Sequence, residues 1–206
     1  MDLNTVDHLL TTTRSVRKRL DMTRPVEPDV IEQCIEIAIQ APTGANRQGW
    51  HFMVVNDPDK RGKIAELYKK SFDIYIKPQL SEQTNPVRNS SMYLADTMQD
   101  VPVLIICCIE GRSENPAPLA QASMYGSILP AAWSLMLALR ARGLGACWTT
   151  LHLRYESEVA GLLGLPDDMT QAVLLPVAYF KGEDFKPAKR VPGAEQTYWN
   201  TWRARR

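Results

Sequence analysis

Apolar residues at three- and four-residue spacing predict the helices of this chain. Ile31, Cys34 and Ala38 form one apolar face, and Pro42 ends the helix that carries them. Further helices are predicted over these segments: 3–12, 57–72, 119–143 and 155–166. Pro130 lies inside the longest of them, where it removes one backbone hydrogen bond and is expected to kink or split the helix.

Continuous apolar runs predict the strands. Residues 101–110 (VPVLIICCIE) and 171–180 (QAVLLPVAYF) are apolar almost throughout, as central strands covered on both faces are. Residues 51–56 (HFMVVN) form a third predicted strand, and 145–150 (GACWTT) a short fourth one. Several helices with a few strands predict an α+β fold.

Two segments lack the periodicity of a core element. Residues 73–100 mix Pro, Asn and Ser with isolated Tyr and Met, which predicts an insertion of loops and short helices of the kind that often covers a site. The tail, 182–206, is polar but carries Tyr198, Trp199 and Trp202, so we expect it to wrap another surface, such as that of a partner subunit. We interpret all 206 residues as one domain.

The predicted helix 119–143 is apolar on nearly every side until Arg140 and Arg142. A helix that is apolar all round must be buried. In a chain of this size the expected cover is a second copy, so a homodimer is predicted.

The composition indicates an ordinary globular protein and adds little else. The chain is 45% hydrophobic and 23% charged with a formal net charge of +1, which favours neither nucleic acid nor a membrane surface as a partner. The longest apolar stretches, 101–109 and 127–139, are shorter than a membrane span, and no basic region precedes an apolar run near the start. We therefore expect a cytoplasmic protein. The four cysteines and three histidines lack metal-site spacing, so no metal is predicted.

The first candidate site is TRSVRKR, with Arg14, Ser15 and Arg17. Two guanidinium groups around a hydroxyl can grip a phosphate. The alternative is a solvated basic turn.

The second candidate is PTGANRQGW, a polar stretch between a predicted helix and a predicted strand. Thr43, Asn46 and Gln48 offer donors and acceptors that can bind the edge of a flat heteroaromatic ring. An ordinary turn is the alternative, and the stretch is not a P-loop because it lacks a following Lys-Ser or Lys-Thr pair. A third candidate, Arg190 in KPAKRVP, is either another phosphate ligand or a basic loop.

Together the motifs keep one order along the chain: Arg14-Ser15-x-Arg17, then the 42–50 stretch, then Gly143-Leu144-Gly145, then Arg190-x-Pro. In this order the sequence resembles the nitroreductase-like FMN-dependent oxidoreductases, from about residue 12 to 192. The stretch AIQAPTGANRQGWHF is the most specific match.

The resemblance implies a nitroreductase-like α/β sandwich with a central antiparallel or mixed sheet, helices on both sides and an intertwined homodimer. It also implies FMN as cofactor, with the phosphate bound by Arg14 and Ser15 and Arg17 placed toward the ring. The cofactor-binding residues implied are Arg14, Ser15, Arg17, Pro42, Thr43, Asn46, Gln48, Thr149, Thr150 and Arg190. The segment that contains Pro42 and Gln48 is expected to come from the second subunit.

The implied activity is NADH- or NADPH-driven reduction of small organic acceptors, such as nitroaromatics or quinones, by ping-pong hydride transfer through the flavin. No catalytic acid or base is assigned. The alternative is a protein of the same fold that binds or sequesters flavin with little or no turnover. Thr13 and Gly49 depart from the family pattern, which usually has Arg and Pro there.

Overall fold

A four-stranded antiparallel sheet, in the order β1-β2-β4-β3, lies at the centre of the computed structural model, which describes residues 2–76, 78, 86–112, 114 and 117–206. The strands are β1 (Trp50–Val55), β2 (Val103–Glu110), β3 (Leu144–Ala146) and β4 (Met169–Tyr179). Each predicted strand is present, although β3 is shorter than 145–150. The α+β prediction is confirmed.

Helices pack on both faces of this sheet. The helices of the described residues are α1 (Leu3–Thr12), α2 (Pro28–Ala38), α3 (Pro58–Tyr75), α4 (Pro86–Thr97), α5 (Pro118–Ala141), α6 (Glu156–Leu163) and α7 (Gly193–Gln196). Short 3₁₀ turns occur at Gly44–Asn46, Met98–Asp100 and Leu151–Tyr155. The α3 helix begins where predicted because the Asp57 carboxylate accepts a hydrogen bond from the Lys60 N–H at 2.8 Å.

Alternate residues of β2 enter two separate cores. Ile106 and Cys108 pack with α3 and α4 on one face, and Ile105 and Cys107 pack with α2 and α5 on the other. A strand buried on both faces has no position for a polar side chain, which explains the apolar run seen in the sequence.

The structure differs from the prediction for 73–100. The α3 helix continues to Tyr75, and α4 forms three turns over Pro86–Thr97, so the described part of this segment is largely helical rather than looped. The rest of the predicted insertion, 77 and 79–85, lies outside the described residues. Pro86 is the first residue of α4, a position where a helix tolerates proline.

The α5 helix is also more regular than predicted. Pro130 does not split it, and one helix runs from Pro118 to Ala141. By length and composition alone α5 could cross a membrane, as can the core helix of a soluble protein. One face is nevertheless buried in the core through Ile128, Leu135 and Leu139. The opposite face leaves large apolar side chains such as Trp133 partly exposed, so this chain alone does not cover the helix.

Candidate functional site

The segment that carries the first candidate motif lies along β3. The Val16 N–H donates to the Ala146 carbonyl at 2.8 Å, so Arg14 and Arg17 flank a fixed point of the backbone. Gly145 permits this approach, because a Cβ there would lie 2.9 Å from the Cβ of Val16. The glycines of the Gly-Leu-Gly motif thus bring the basic segment against the sheet.

Cations from both ends of the chain line one cavity of about 590 Å³. Arg14, Ser15 and Arg17 come from the segment after α1, and Arg190 comes from the tail. The Arg14 guanidinium donates to the carbonyl of Lys186 at 3.0 Å, which joins the two ends directly. Three guanidinium groups around one cavity form a strongly positive site suited to a phosphate or another anion.

Aromatic and apolar side chains form the remaining wall of this site. Trp133 of α5 and Val87 of α4 line the same cavity. An adjoining cavity of about 460 Å³ shares Trp133 with it and adds Met136 and Trp148. The sequence reasoning did not assign Trp133 or Trp148 to the site. For Trp133 the available signal was a large aromatic side chain on a helix face that points away from the core.

Arg17 lies beside two buried polar side chains. Burial raises the pKa of the Cys147 thiol, while Arg17 and Ser15 next to it act in the opposite direction. Burial also raises the pKa of Tyr68 to about 12, against the smaller effects of Thr149 and Arg17. Both groups are therefore neutral at physiological pH, and no carboxylate among the described residues forms an ion pair with Arg17 beside the cavity.

The structure separates the two threonines after β3. Thr149 is buried, its hydroxyl donates to that of Tyr68 at 3.3 Å, and its N–H and carbonyl pair with Leu174 at 3.1 and 2.9 Å. Thr150 is exposed. Both backbone groups of Thr149 are thus in use, and Thr150 is the one at the surface. A cofactor contact by this pair stays a prediction.

The second candidate motif forms a strained loop. Ala45, Asn46 and Gln48 have φ values of 52°, 53° and 53°, in the left-handed region that non-glycine residues rarely adopt. Asn46 and Gln48 are exposed, and the Gln48 side-chain amide donates to that of Asn46 at 3.1 Å. Such strain costs about 1–3 kcal/mol per residue and concentrates at ligand-binding sites.

Contacts with α5 and β2 hold this loop in place. The Gly44 N–H donates to the Ser127 hydroxyl at 3.0 Å. Gly49, which departs from the family pattern, is buried against Glu110, where an added Cβ would lie 3.2 Å from a carboxylate oxygen. Since the neighbours leave little room, glycine suits both positions.

The two candidate regions lie at separate places on one chain. Thr43 and Gly44 line a cavity of about 700 Å³ that reaches α5 at Ser127, and exposed Pro42 precedes them. The cationic cavity reaches α5 at Trp133. From Ser127 to Trp133 the helix rises about 9 Å. One chain therefore presents two separate cavities along α5.

Among the residues that the structure describes, no cluster of three or more His, Cys, Asp or Glu side chains could hold a metal ion. His152 is completely buried, and burial lowers its pKa to about 3. Neither of its ring nitrogens has a hydrogen-bond partner among the described residues.

The sequence model of the nitroreductase family matches residues 10–179. The chain belongs to the nitroreductase family. It is 30% identical over 175 residues to iodotyrosine deiodinase 1 of Rattus norvegicus, across 83% of this chain and 60% of that protein. It is 29% identical over 178 residues to the iodotyrosine deiodinase of Thermotoga neapolitana, across 84% of this chain and 87% of that protein.

A solved structure shows the same fold. Oxidized iodotyrosine deiodinase bound to FMN and 3-iodo-L-tyrosine matches this nitroreductase-family chain with a TM-score of 0.69 and 23% identity, over 94% of this chain and 98% of the other. The nitroreductase-like fold expected from the motifs is therefore confirmed. The chain spans only about 60% of the length of the rat relative.

Proposed function

We propose that this chain is an FMN-dependent oxidoreductase that uses NADH or NADPH to reduce small organic acceptors by a ping-pong cycle. One observation carries the proposal: Arg14, Arg17 and Arg190, which are distant in sequence, line a single cavity. Membership of the nitroreductase family and similarity to a structure that contains FMN support it.

The residues present fit FMN. Arg14, Ser15 and Arg190 would bind the phosphate, and the neighbouring aromatic wall, with Trp133, suits an apolar ring system. Arg17 would lie toward the ring, where its positive charge would stabilise negative charge on the reduced flavin. Bound FMN would supply hydride transfer between NAD(P)H and the acceptor. The protein would bind, orient and shield it.

A homodimer would complete the site. The loop with Asn46 and Gln48 adjoins the cavity that reaches α5 at Ser127, whereas the cationic cavity reaches α5 at Trp133, and both amides are exposed. A two-fold axis that pairs the uncovered faces of α5 would bring the loop of one subunit to the cavity of the other. We infer that each cofactor is bound by both subunits.

Two further segments would enclose the cofactor. Val87 of α4 lines the cationic cavity, which supports a covering role for 73–100. Trp199 and Trp202 in the tail are 47% and 78% exposed, as expected for side chains that a partner subunit would cover. We propose a single domain with these two accessory segments.

FMN binding tests the clamp. Wild-type protein should quench FMN fluorescence, and the double variant Arg14→Ala/Arg190→Ala should bind at least about 100-fold more weakly, because two charge-assisted contacts to the phosphate are lost. Riboflavin affinity should change far less. The matched control, Lys18→Ala/Lys70→Ala, removes two cations that do not line the cavity. Equal loss of FMN and riboflavin would contradict a phosphate clamp.

Subunit complementation tests the shared site. Arg14→Ala/Arg190→Ala protein and Asn46→Ala/Gln48→Ala protein each lack one half, so each alone should bind FMN poorly. A refolded mixture should recover about a quarter of the wild-type sites, because only mixed dimers contain one intact site of two. Absence of recovery would contradict a site built from two subunits.

Turnover separates an enzyme from a flavin-sequestering protein. Anaerobic NADPH or NADH should bleach the flavin absorbance of an enzyme, and a quinone or a nitroaromatic should restore it. Bound FMN that neither nucleotide bleaches would favour sequestration.

Reductive dehalogenation is a second candidate. The similarity to iodotyrosine deiodinases from a mammal and a bacterium favours it. Release of iodide from 3-iodo-L-tyrosine by the dithionite-reduced protein would support this activity, and reduction of quinones without iodide release would contradict it.

A further inference from the structure

One carboxylate joins three distant parts of the chain. Asp184, at the start of the tail, is paired with His8 of α1 through one oxygen and with Arg140 of α5 through the other. The Asp184 carboxylate also accepts from the N–H of Phe185 at 2.8 Å. Asp184 is therefore the contact that ties the tail to both helices.

The residues around Asp184 form the root of the tail, 181–186. Arg19 donates to the Lys181 carbonyl at 2.6 Å, and its guanidinium lies 4.1 Å from the ring centre of Phe185. Arg14 donates to the carbonyl of Lys186 at 3.0 Å. The root is thus bound on both sides of Asp184, and Arg190 follows four residues after Lys186.

We propose that Asp184 is a positioning residue for the cationic cavity. By fixing the root of the tail, Asp184 places Arg190 opposite Arg14, so the two ends of the chain meet around one anion. The inference rests on the proposed function in one respect, that this anion is the FMN phosphate.

The charges around Asp184 explain why this carboxylate matters. The Arg140 side chain is only 12% exposed, and its Nε has no partner among the described residues, so Asp184 is its counter-ion. Removing the carboxylate would leave a largely buried guanidinium unpaired. Arg19 adds further positive charge, whereas Glu183 is the adjacent acidic side chain. Without Asp184 these cations repel one another.

Cofactor affinity gives the first test. In Asp184→Asn the dissociation constant for FMN should rise by about tenfold, the effect expected when one charge-assisted contact is lost. Asp184→Glu keeps the carboxylate and should stay within about threefold of wild type. The control Asp96→Asn breaks an exposed pair with Lys69 and should leave the affinity unchanged. An Asp184→Asn variant that is folded by circular dichroism and binds FMN normally would overturn the proposal.

Proteolysis tests the docking of the tail without cofactor. Trypsin should cut after Lys189 and Arg190 about fivefold faster in Asp184→Asn than in wild type, because the root opens more often. Wild-type protein that takes up no FMN would overturn the proposed function, and the cleavage rate alone would then decide the role of Asp184 in docking. Faster cleavage with unchanged FMN affinity would overturn the positioning role.

Discussion

The indole nitrogen of Trp50 donates a hydrogen bond to the backbone carbonyl of Ser127, 2.9 Å away. The hydroxyl of the same serine accepts from the N–H of Gly44 at 3.0 Å. Ser127 of α5 therefore holds both ends of the loop that contains the left-handed residues Ala45, Asn46 and Gln48. The strain in that loop persists because its ends cannot separate.

The fit of Gly44 against α5 predicts a clash that a second substitution relieves. A Cβ at position 44 would lie 2.5 Å from the Ser123 hydroxyl oxygen and 3.6 Å from that of Ser127. Gly44→Ala should therefore lower the free energy of unfolding by about 1–3 kcal/mol, as overpacking does. Gly44→Ala/Ser123→Ala should recover most of that loss. Urea unfolding of both variants, with Ser123→Ala as control, measures it, and an unrelieved double variant would contradict the clash.

Removing the indole donor should weaken the other end of the loop. Trp50→Phe keeps most of the apolar volume but leaves the Ser127 carbonyl without this donor, so we expect the free energy of unfolding to fall by about 1–2 kcal/mol. Trp202→Phe is the control, because Trp202 is 78% exposed. Equal effects of the two substitutions in urea unfolding would argue against a specific role for the hydrogen bond.

Local pattern was enough to predict most of the fold. The β2 run is apolar because both faces are buried, and Asp57 starts α3 because its carboxylate caps the helix. Each of these features depends on residues that are neighbours in the sequence. The α4 helix was missed because its Ser and Asn residues resemble a loop, and packing of Leu94 in the core outweighs their weak helix propensity.

The site was predictable only where a motif carries it. The resemblance placed Arg14 and Arg190 together, and the structure shows them around one cavity. Nothing in the local sequence points to the pairing of His8 with Asp184, which are 176 residues apart. Contacts of this kind arise from the fold, as does the exposure of Trp133 beside the cavity.

The close approach at Gly145 links β3 to the cofactor clamp. An added Cβ would lie 2.9–3.1 Å from three carbon atoms of Val16, in a region where both backbones are fixed. Gly145→Ala should push the segment 14–17 away from β3 and lower FMN affinity by about tenfold, since clamp geometry depends on it. Gly161→Ala is the control, because its added Cβ meets nothing within 4 Å. Unchanged FMN affinity in Gly145→Ala would contradict this link.

His152 should make the protein sensitive to acid. Its pKa is about 3 in the folded chain because of burial, against 6.5 for a free histidine. Between these values the unfolded chain binds a proton that the folded chain excludes. The stability associated with neutral His152 is therefore complete above about pH 6.5 and is lost as the pH falls toward 3, with a slope of up to about 1.4 kcal/mol per pH unit.

Substitution of His152 isolates this effect from other titrating groups. His152→Leu cannot take up a proton and leaves no unpaired ring nitrogen in the core, so its free energy of unfolding should fall less steeply between pH 6.5 and 4. Urea unfolding at pH 7, 6, 5 and 4 gives the slopes of the variant and of wild type. A His152→Leu slope equal to that of wild type would show that the folded chain accommodates the charged imidazole.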